Sequence, residues 1–251
     1  MAQLVNLSEN RHDEPDSVFS LLKQHSLFAA MPDDMVSLFM SAATVVTPKK
    51  GAQLFLQDEP AEWFYFIASG WIKLFRETIE GDEAVLDVLT KGHIFGEAAV
   101  FDGGIHTIGA AIAEDAVLAR LPISLLKSAI TKNHEVALGM LASVSRERRH
   151  QSQDIEKLSL QNTSQRIACF LLRMCQANQT KDVVLTLPYD KSLIAARLSM
   201  KSETFSRALN KLQKETSIVI KGSSVTIPTI GALATYACSQ CSQEFPCGDL
   251  H

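Results

Sequence analysis

Glu203, Ser206 and Arg207 fall in the segment 191–215, KSLIAARLSMKSETFSRALNKLQKE, at a spacing that lets one helix project all three the same way. Arginine pairs bidentately with O6 and N7 of guanine, and glutamate accepts from N4 of cytosine, so the trio could read one G·C pair from a major groove. The simpler reading is a surface ion pair, since Glu203 and Arg207 stand i to i+4 and such a pair is worth about 0.3–0.5 kcal/mol. A second group with chemistry crowds the end of the chain, Cys238-x2-Cys241-x5-Cys247. Thiolates bind soft metals and iron–sulfur clusters, and Cys-x-x-Cys lets two sulfurs reach one metal without strain. Three outcomes stay open for this trio: an iron–sulfur cluster, a zinc ion completed by His251, or a tail of three exposed thiols that holds no metal or is oxidised directly. A cluster needs a fourth ligand, for which Asp154, Glu156, Cys169 and Cys175 are candidates.

The elements that must hold the first trio are readable by periodicity. Leu193, Ile194 and Leu198 make one apolar face, Ser199-Met200 a tight turn, and Ser202 can cap a second helix that buries Phe205, Leu209 and Leu212. Ala195 and Ser199 are small where two helices would cross closely. This is a helix-turn-helix pattern, its second helix suited to a major groove. Val183–Leu187 reads as a strand, and SIVIKGSSVTIP as a hairpin turning at Gly222-Ser223, with Lys221 placed to reach a phosphate. Upstream, Gln165 to Gln176 is amphipathic. Before it, a helix from about Asn133 to Leu158 carries Ala137, Leu141, Val144, Arg148, Gln151, Ile155 and Leu158 in alternating steps of four and three, a coiled-coil seam. Arg148 would either face its own copy across a dimer axis or rotate outward into solvent.

Residues 17–40 read as short amphipathic helices. From Ala43 to about Leu121 the period changes to two, with turns near Gly51, Asp58–Pro60, Gly70 and Glu80-Gly81-Asp82. Short strands at that spacing argue for a jelly roll or antiparallel barrel. The class is α+β, with domains expected at 17–130 (β-roll), 131–160 (dimerisation helix) and 161–230 (winged helix-turn-helix), then a cysteine-containing tail, 231–251. Charge divides the same way. Residues 1–164 carry 14 Lys and Arg against 22 Asp and Glu, and residues 165–230 carry 10 against 4, a basic module behind an acidic one. No stretch approaches the about 18 apolar residues of a membrane span and the N-terminus has no signal-peptide core, so a cytoplasmic protein without structural disulfides is expected.

ETFSR and its surroundings resemble the recognition helix of the CRP/FNR superfamily of bacterial transcription regulators, in the Glu-x-x-Ser-Arg form of its FNR-like and DNR-like branches. The resemblance covers nearly the whole chain. It implies a cyclic-nucleotide-binding-like β-roll, a parallel homodimer along the long helix, contact with RNA polymerase, and double-stranded DNA with half-sites like TTGAT in inverted repeat. It also implies a cysteine trio near the C-terminus, as in some relatives, and so an oxygen, nitric-oxide or redox signal. Cyclic AMP is not expected: Gly96-Glu97 is present, but 104–109, GIHTIG, lacks the Arg-Ser that holds the cyclic phosphate, and burying a phosphate without a cation costs several kcal/mol. His106 is a poor replacement for a fixed cation, and Glu97 reads as a turn residue. The DNR-like branch offers haem as the alternative cofactor, with His12, His25, His106, His134 or His150 as axial ligand. The family usually places a glycine before the wing, where this chain has Glu215-Thr216-Ser217. The competing whole-protein reading is a metal- or nucleotide-binding enzyme on a jelly roll, against which the β region shows no His-x-His set, paired carboxylates or activated nucleophile.

Overall fold

The computed structural model describes residues 15–29, 31–78, 80–81, 83–175, 181–188, 190–241 and 245. His12, Asp82, Gln176, Cys247 and His251 lie outside them. The chain forms two compact units, one ending at Val144 and the next beginning at Ser145. That boundary falls inside the expected segment 131–160.

In the first unit, helices α1 (Pro15–Gln24), α2 (Ser26–Ala29) and α3 (Asp33–Ala42) bury Val18, Leu22, Leu27, Phe28 and Phe39. Strands β1 (Thr44–Val46), β2 (Gln53–Phe55), β3 (Trp63–Glu77), β4 (Glu83–Thr90), β5 (Ile94–Phe95) and β6 (Gly109–Pro122) form one antiparallel sheet in the order β1-β6-β3-β4, with β2 on β6 and β5 on β3. The continuous apolar run of β3 is explained by two cores. Phe64 and Phe66 pack with the helices, while Tyr65 and Ile67, pointing the other way, pack inside the roll with Phe55 and Phe95. The turn expected at Gly70 is instead a bend inside β3, which runs on opposite β6. Gly70 has φ +93, and a Cβ there would lie 2.5 Å from the Asp115 carbonyl oxygen, so the backbones meet only because it is glycine.

Helix α4 (Ile123–Lys132) leads into α5 (His134–Leu160), whose first N–H groups are satisfied by the Asn133 side chain, which accepts from Glu135 and Val136 at 2.9 and 3.2 Å. Val136 and Met140 of α5 pack into the helix-side core. The neighbouring stripe is not used that way: Leu141 is 61% exposed and Val144 54%.

The second unit contains α6 (Thr163–Arg173), β7 (Lys181–Thr186), α7 (Lys191–Arg197), α8 (Ser202–Thr216), β8 (Val219–Lys221), β9 (Ser224–Thr229) and α9 (Ile230–Cys238), its strands in the order β7-β9-β8. A full capping box starts α6: Asn162 accepts from the Gln165 backbone and Gln165 from the Asn162 backbone, both at 3.0 Å. The tail expected from residue 231 begins as a helix built into the core, because Ile230, Leu233 and Ala237 bury one face against Ile167, Leu171 and Leu212. Before the wing, Ser217 itself takes the left-handed conformation (φ +59, ψ 15) that a glycine would adopt at no steric cost. Ser217→Gly is therefore expected to raise stability by about 0.5–1 kcal/mol, read as a higher denaturant midpoint at unchanged slope. A lower midpoint would show that the serine side chain compensates for its backbone.

Candidate nucleic-acid interface

Helix α7 is capped by Asp190, whose side chain accepts from the Ser192 backbone at 2.9 Å. The turn closes when Met200 donates to the Ala195 carbonyl at 2.9 Å, with Ser199 in the left-handed region at φ +53. Ala195 is buried as the sequence implies, but Ser199 is exposed and serves the turn, not a helix crossing. Ser202 does not cap α8 either. The N-cap is Lys201, without a side-chain cap bond, and Ser202 is the first helical residue, its carbonyl accepting from Ser206 Oγ at 3.0 Å.

Along α8, Phe205, Ala208, Leu209 and Leu212 point into the core. A buried hydrogen bond from Ser164 Oγ of α6 to the Ala208 carbonyl, at 3.1 Å, fixes the helix against its neighbour. That leaves Ser202, Glu203, Ser206 and Arg207 all exposed to solvent. Arg207 and Glu203 are ion-paired, at 77% and 76% side-chain exposure. A pair so exposed contributes little to stability, so either group can be redirected to a partner at small cost. Lys221, exposed, ends β8 just before the Gly222-Ser223 turn.

What sequence reasoning missed is how the turn is held. Asp154, from the last turns of α5, accepts from Arg197 Nη2 of α7 at 2.6 Å and pairs with Lys157 Nζ at 3.1 Å and Arg173 Nη1 of α6 at 3.2 Å. Burial pushes its carboxyl up, but Arg173, Arg197 and Lys157 together hold it below the usual carboxylate range. Arg166 of α6 donates to the Leu198 carbonyl at 2.9 Å, clamping the turn directly. The spacing of these charges along the sequence carries no sign that they converge.

The cysteines divide. Cys241 donates its backbone N–H to the Cys238 carbonyl at 3.0 Å, so these two half-exposed residues lie one turn apart at the end of α9. The same end is tied to the residues that follow α5: Gln161 Nε2 donates to the Ala237 carbonyl at 3.1 Å and Gln165 Nε2 to Ser239 Oγ at 2.8 Å. Of the candidates for a fourth ligand, Asp154 is engaged by three cations. Cys175 is buried, donates to the Leu171 carbonyl, and has its thiol pushed up to about 11 by burial. A metal at either would have to compete with those cations for the Asp154 carboxylate or take the proton of the Cys175 thiol. Among the described residues no three His, Cys, Asp or Glu side chains converge as a metal site. The histidines are also not alike. His106 is buried, its ring stacked on Phe55 at 3.6 Å and its pKa lowered by burial, whereas His134 is exposed. No described helix is long and apolar enough to cross a membrane.

Residues 45–133 match the cyclic nucleotide-binding domain family, and residues 165–236 the Crp-like helix-turn-helix domain. A crystal structure of a protein from Ruegeria pomeroyi DSS-3, described as cyclic-nucleotide-binding, is 32% identical, covers 90% of this chain and 99% of its own, and superposes with a TM-score of 0.70. The cyclic AMP receptor protein of Thermus thermophilus is 27% identical over 77% of this chain and 88% of the relative. The fumarate and nitrate reduction regulatory protein of Escherichia coli K12 is 28% identical over 75% of this chain and 76% of the relative. A β-roll of the cyclic-nucleotide-binding type, a long helix and a winged helix-turn-helix thus occur here together and in the family's order. The chain belongs to the CRP/FNR superfamily of transcription regulators and is not an enzyme.

Proposed function

We propose that the protein is a cytoplasmic homodimer that reads an inverted repeat of TTGAT-like half-sites. Glu203 and Arg207 address the G·C pair, Ser202 and Ser206 flank them, and Lys221 meets a phosphate. The observation that carries this reading is the one exposed side of α8, where the four side chains stand together while every large apolar residue of the helix points inward. Dimerisation runs along Ala137, Leu141, Val144, Arg148, Gln151, Ile155 and Leu158. In support, α5 has two apolar stripes in its first half, one spent on the protomer's own core and one left exposed. A two-fold protein suits a two-fold site, and contact with RNA polymerase follows by family resemblance. Gel shift on a TTGATNNNNATCAA duplex against a scrambled one tests the reading: preference for the repeat is expected, and equal affinity for both would refute it. Lys221→Ala should weaken both duplexes alike and lower the salt slope by about 1.

The signal is an oxygen, nitric-oxide or redox input at the tail thiols, not cyclic AMP. Relatives named for cyclic AMP and for fumarate and nitrate reduction match about equally, so the choice rests on residues. Segment 104–109 offers no fixed cation, and its His106 is buried against Phe55 with a depressed pKa. An iron–sulfur cluster on Cys238, Cys241 and Cys247 is the favoured cofactor and haem the alternative. The described residues supply two of those thiols, Cys238 and Cys241, and not a complete ligand set. What the chain's own residues do is transmit: Gln161 and Gln165 bond the end of α9 to the segment following α5, so chemistry at Cys238 or Cys241 bears on that junction. Protein purified without oxygen is expected to show visible absorption with iron and sulfide, bleached by air together with DNA affinity. A colourless anaerobic protein with undiminished affinity in air would overturn the cluster.

A further inference from the structure

The convergence around Asp154 is larger than an ion pair needs. Four basic side chains, Lys157, Arg166, Arg173 and Arg197, line one cleft open to solvent, and Asp154 is the single carboxylate among its lining residues. Three of the bases already share that carboxylate, with side chains only 12–29% exposed. Arg166 spends one nitrogen on the Leu198 carbonyl, and its Nε is buried without a hydrogen-bond partner. Burial lowers the pKa of that guanidinium, the sign of a cation held without enough counter-charge. Leu158 and Phe170 supply an apolar wall, which lowers the local dielectric and strengthens every charge interaction inside. A cleft with one anion for four cations, at least one donor unspent, and an open mouth is built for a second anion with several acceptor oxygens. Guanidinium forks match phosphate oxygens in geometry as well as charge.

We propose that this cleft binds a phosphate group, as a free phosphate or phosphomonoester or as a phosphate of the DNA backbone, between the end of α5, α6 and the turn that follows α7. Occupancy would brace the helix-turn-helix against the end of α5, because the same four cations belong to all three elements. The proposal needs only the second unit and does not depend on which bases α8 reads.

The test uses the full-length protein without DNA, titrated with sodium phosphate against sodium chloride at equal ionic strength. Saturable binding of one phosphate per chain is expected by calorimetry, with the thermal midpoint raised by about 2–4 °C relative to chloride. Arg166→Gln should abolish most of that rise. Asp154→Asn, which removes the competing carboxylate and keeps the shape, should lower the midpoint in chloride and respond to phosphate more strongly than the wild type, the added anion replacing the lost one. Phosphate and chloride acting equally on the wild type would overturn the site, as would an Asp154→Asn protein that folds but gains no more from phosphate than the wild type does. Failure of Asp154→Asn to fold leaves the wild type and Arg166→Gln to decide by calorimetry. Repeating the gel shift in phosphate separates the two sources: competition assigns the DNA backbone, and unchanged DNA affinity assigns a free phosphate or phosphomonoester. None of the DNA-free measurements depends on the TTGAT reading, so either can fail while the other stands.

Discussion

Arg207→Ala is expected to weaken binding to TTGATNNNNATCAA by about 1–3 kcal/mol, roughly 5- to 150-fold, and to flatten the preference at the G·C position of each half-site. Arg207 is 77% exposed and held only by Glu203, an equally exposed neighbour one turn away, so its removal leaves no cavity and no buried charge. Fold stability should therefore move by no more than about 0.5 kcal/mol, and the loss on DNA can be assigned to the contact itself. Glu203→Ala frees the guanidinium from its partner and removes the acceptor for cytosine, so non-specific affinity should rise while discrimination falls. That pair of opposite responses cannot come from a surface ion pair alone. If Arg207→Ala lost affinity equally on scrambled DNA, the arginine would be a phosphate contact and the base assignment would be wrong.

The second unit was the more legible of the two because its signals are local. Phe205, Leu209 and Leu212 fall on one face at helical spacing and are buried, and Gly222-Ser223 turns the wing. Local reading failed where two rules compete over one residue. Ser202 has the chemistry of a cap, yet the chain enters α8 one residue earlier, with extended Lys201 in that place. Ser199 is small enough for a helix crossing, but the turn demands a positive φ and takes it. Gly70 looks like a turn between strands and is a bend within one, because its cause is the backbone of Asp115–Ala116 on the other strand, more than 40 positions along the chain. The Asp154 cleft was illegible for the same reason. Residue type alone makes Asp154 a candidate metal ligand, whereas its partners at 173 and 197 come from other helices and no local pattern announces them. The residues after 230 read as a tail because of their clustered cysteines, whereas Ile230, Leu233 and Ala237 repeat at a helix period and complete the core.

Leu141→Glu should abolish the dimer, and with it recognition of the inverted repeat. On α5 the residues Val136 and Met140 face the protomer's own core, so the stripe one position on, with Leu141 and Val144, is left outside. Ile155, the next apolar residue of the expected seam, is 66% exposed. In a parallel pair each Leu141 meets its copy across the axis, and two carboxylates placed there lose the apolar burial and repel each other. A rise of at least 100-fold in the dimer dissociation constant is expected by sedimentation, with circular dichroism unchanged because the protomer buries little of this side chain. Half-site binding by a lone protomer would remain at the weak, salt-sensitive level of non-specific contact. The converse change is equally informative. Arg148→Leu replaces a like-charge meeting in the seam with an apolar one, so it should tighten the dimer and make DNA binding less dependent on the signal, since a pair that is already closed leaves the input less to shift. A Leu141→Glu protein that sediments as the wild type does and keeps its affinity for the repeat would place the interface elsewhere. An Arg148→Leu protein no tighter than the wild type would put Arg148 outside the seam, turned into solvent.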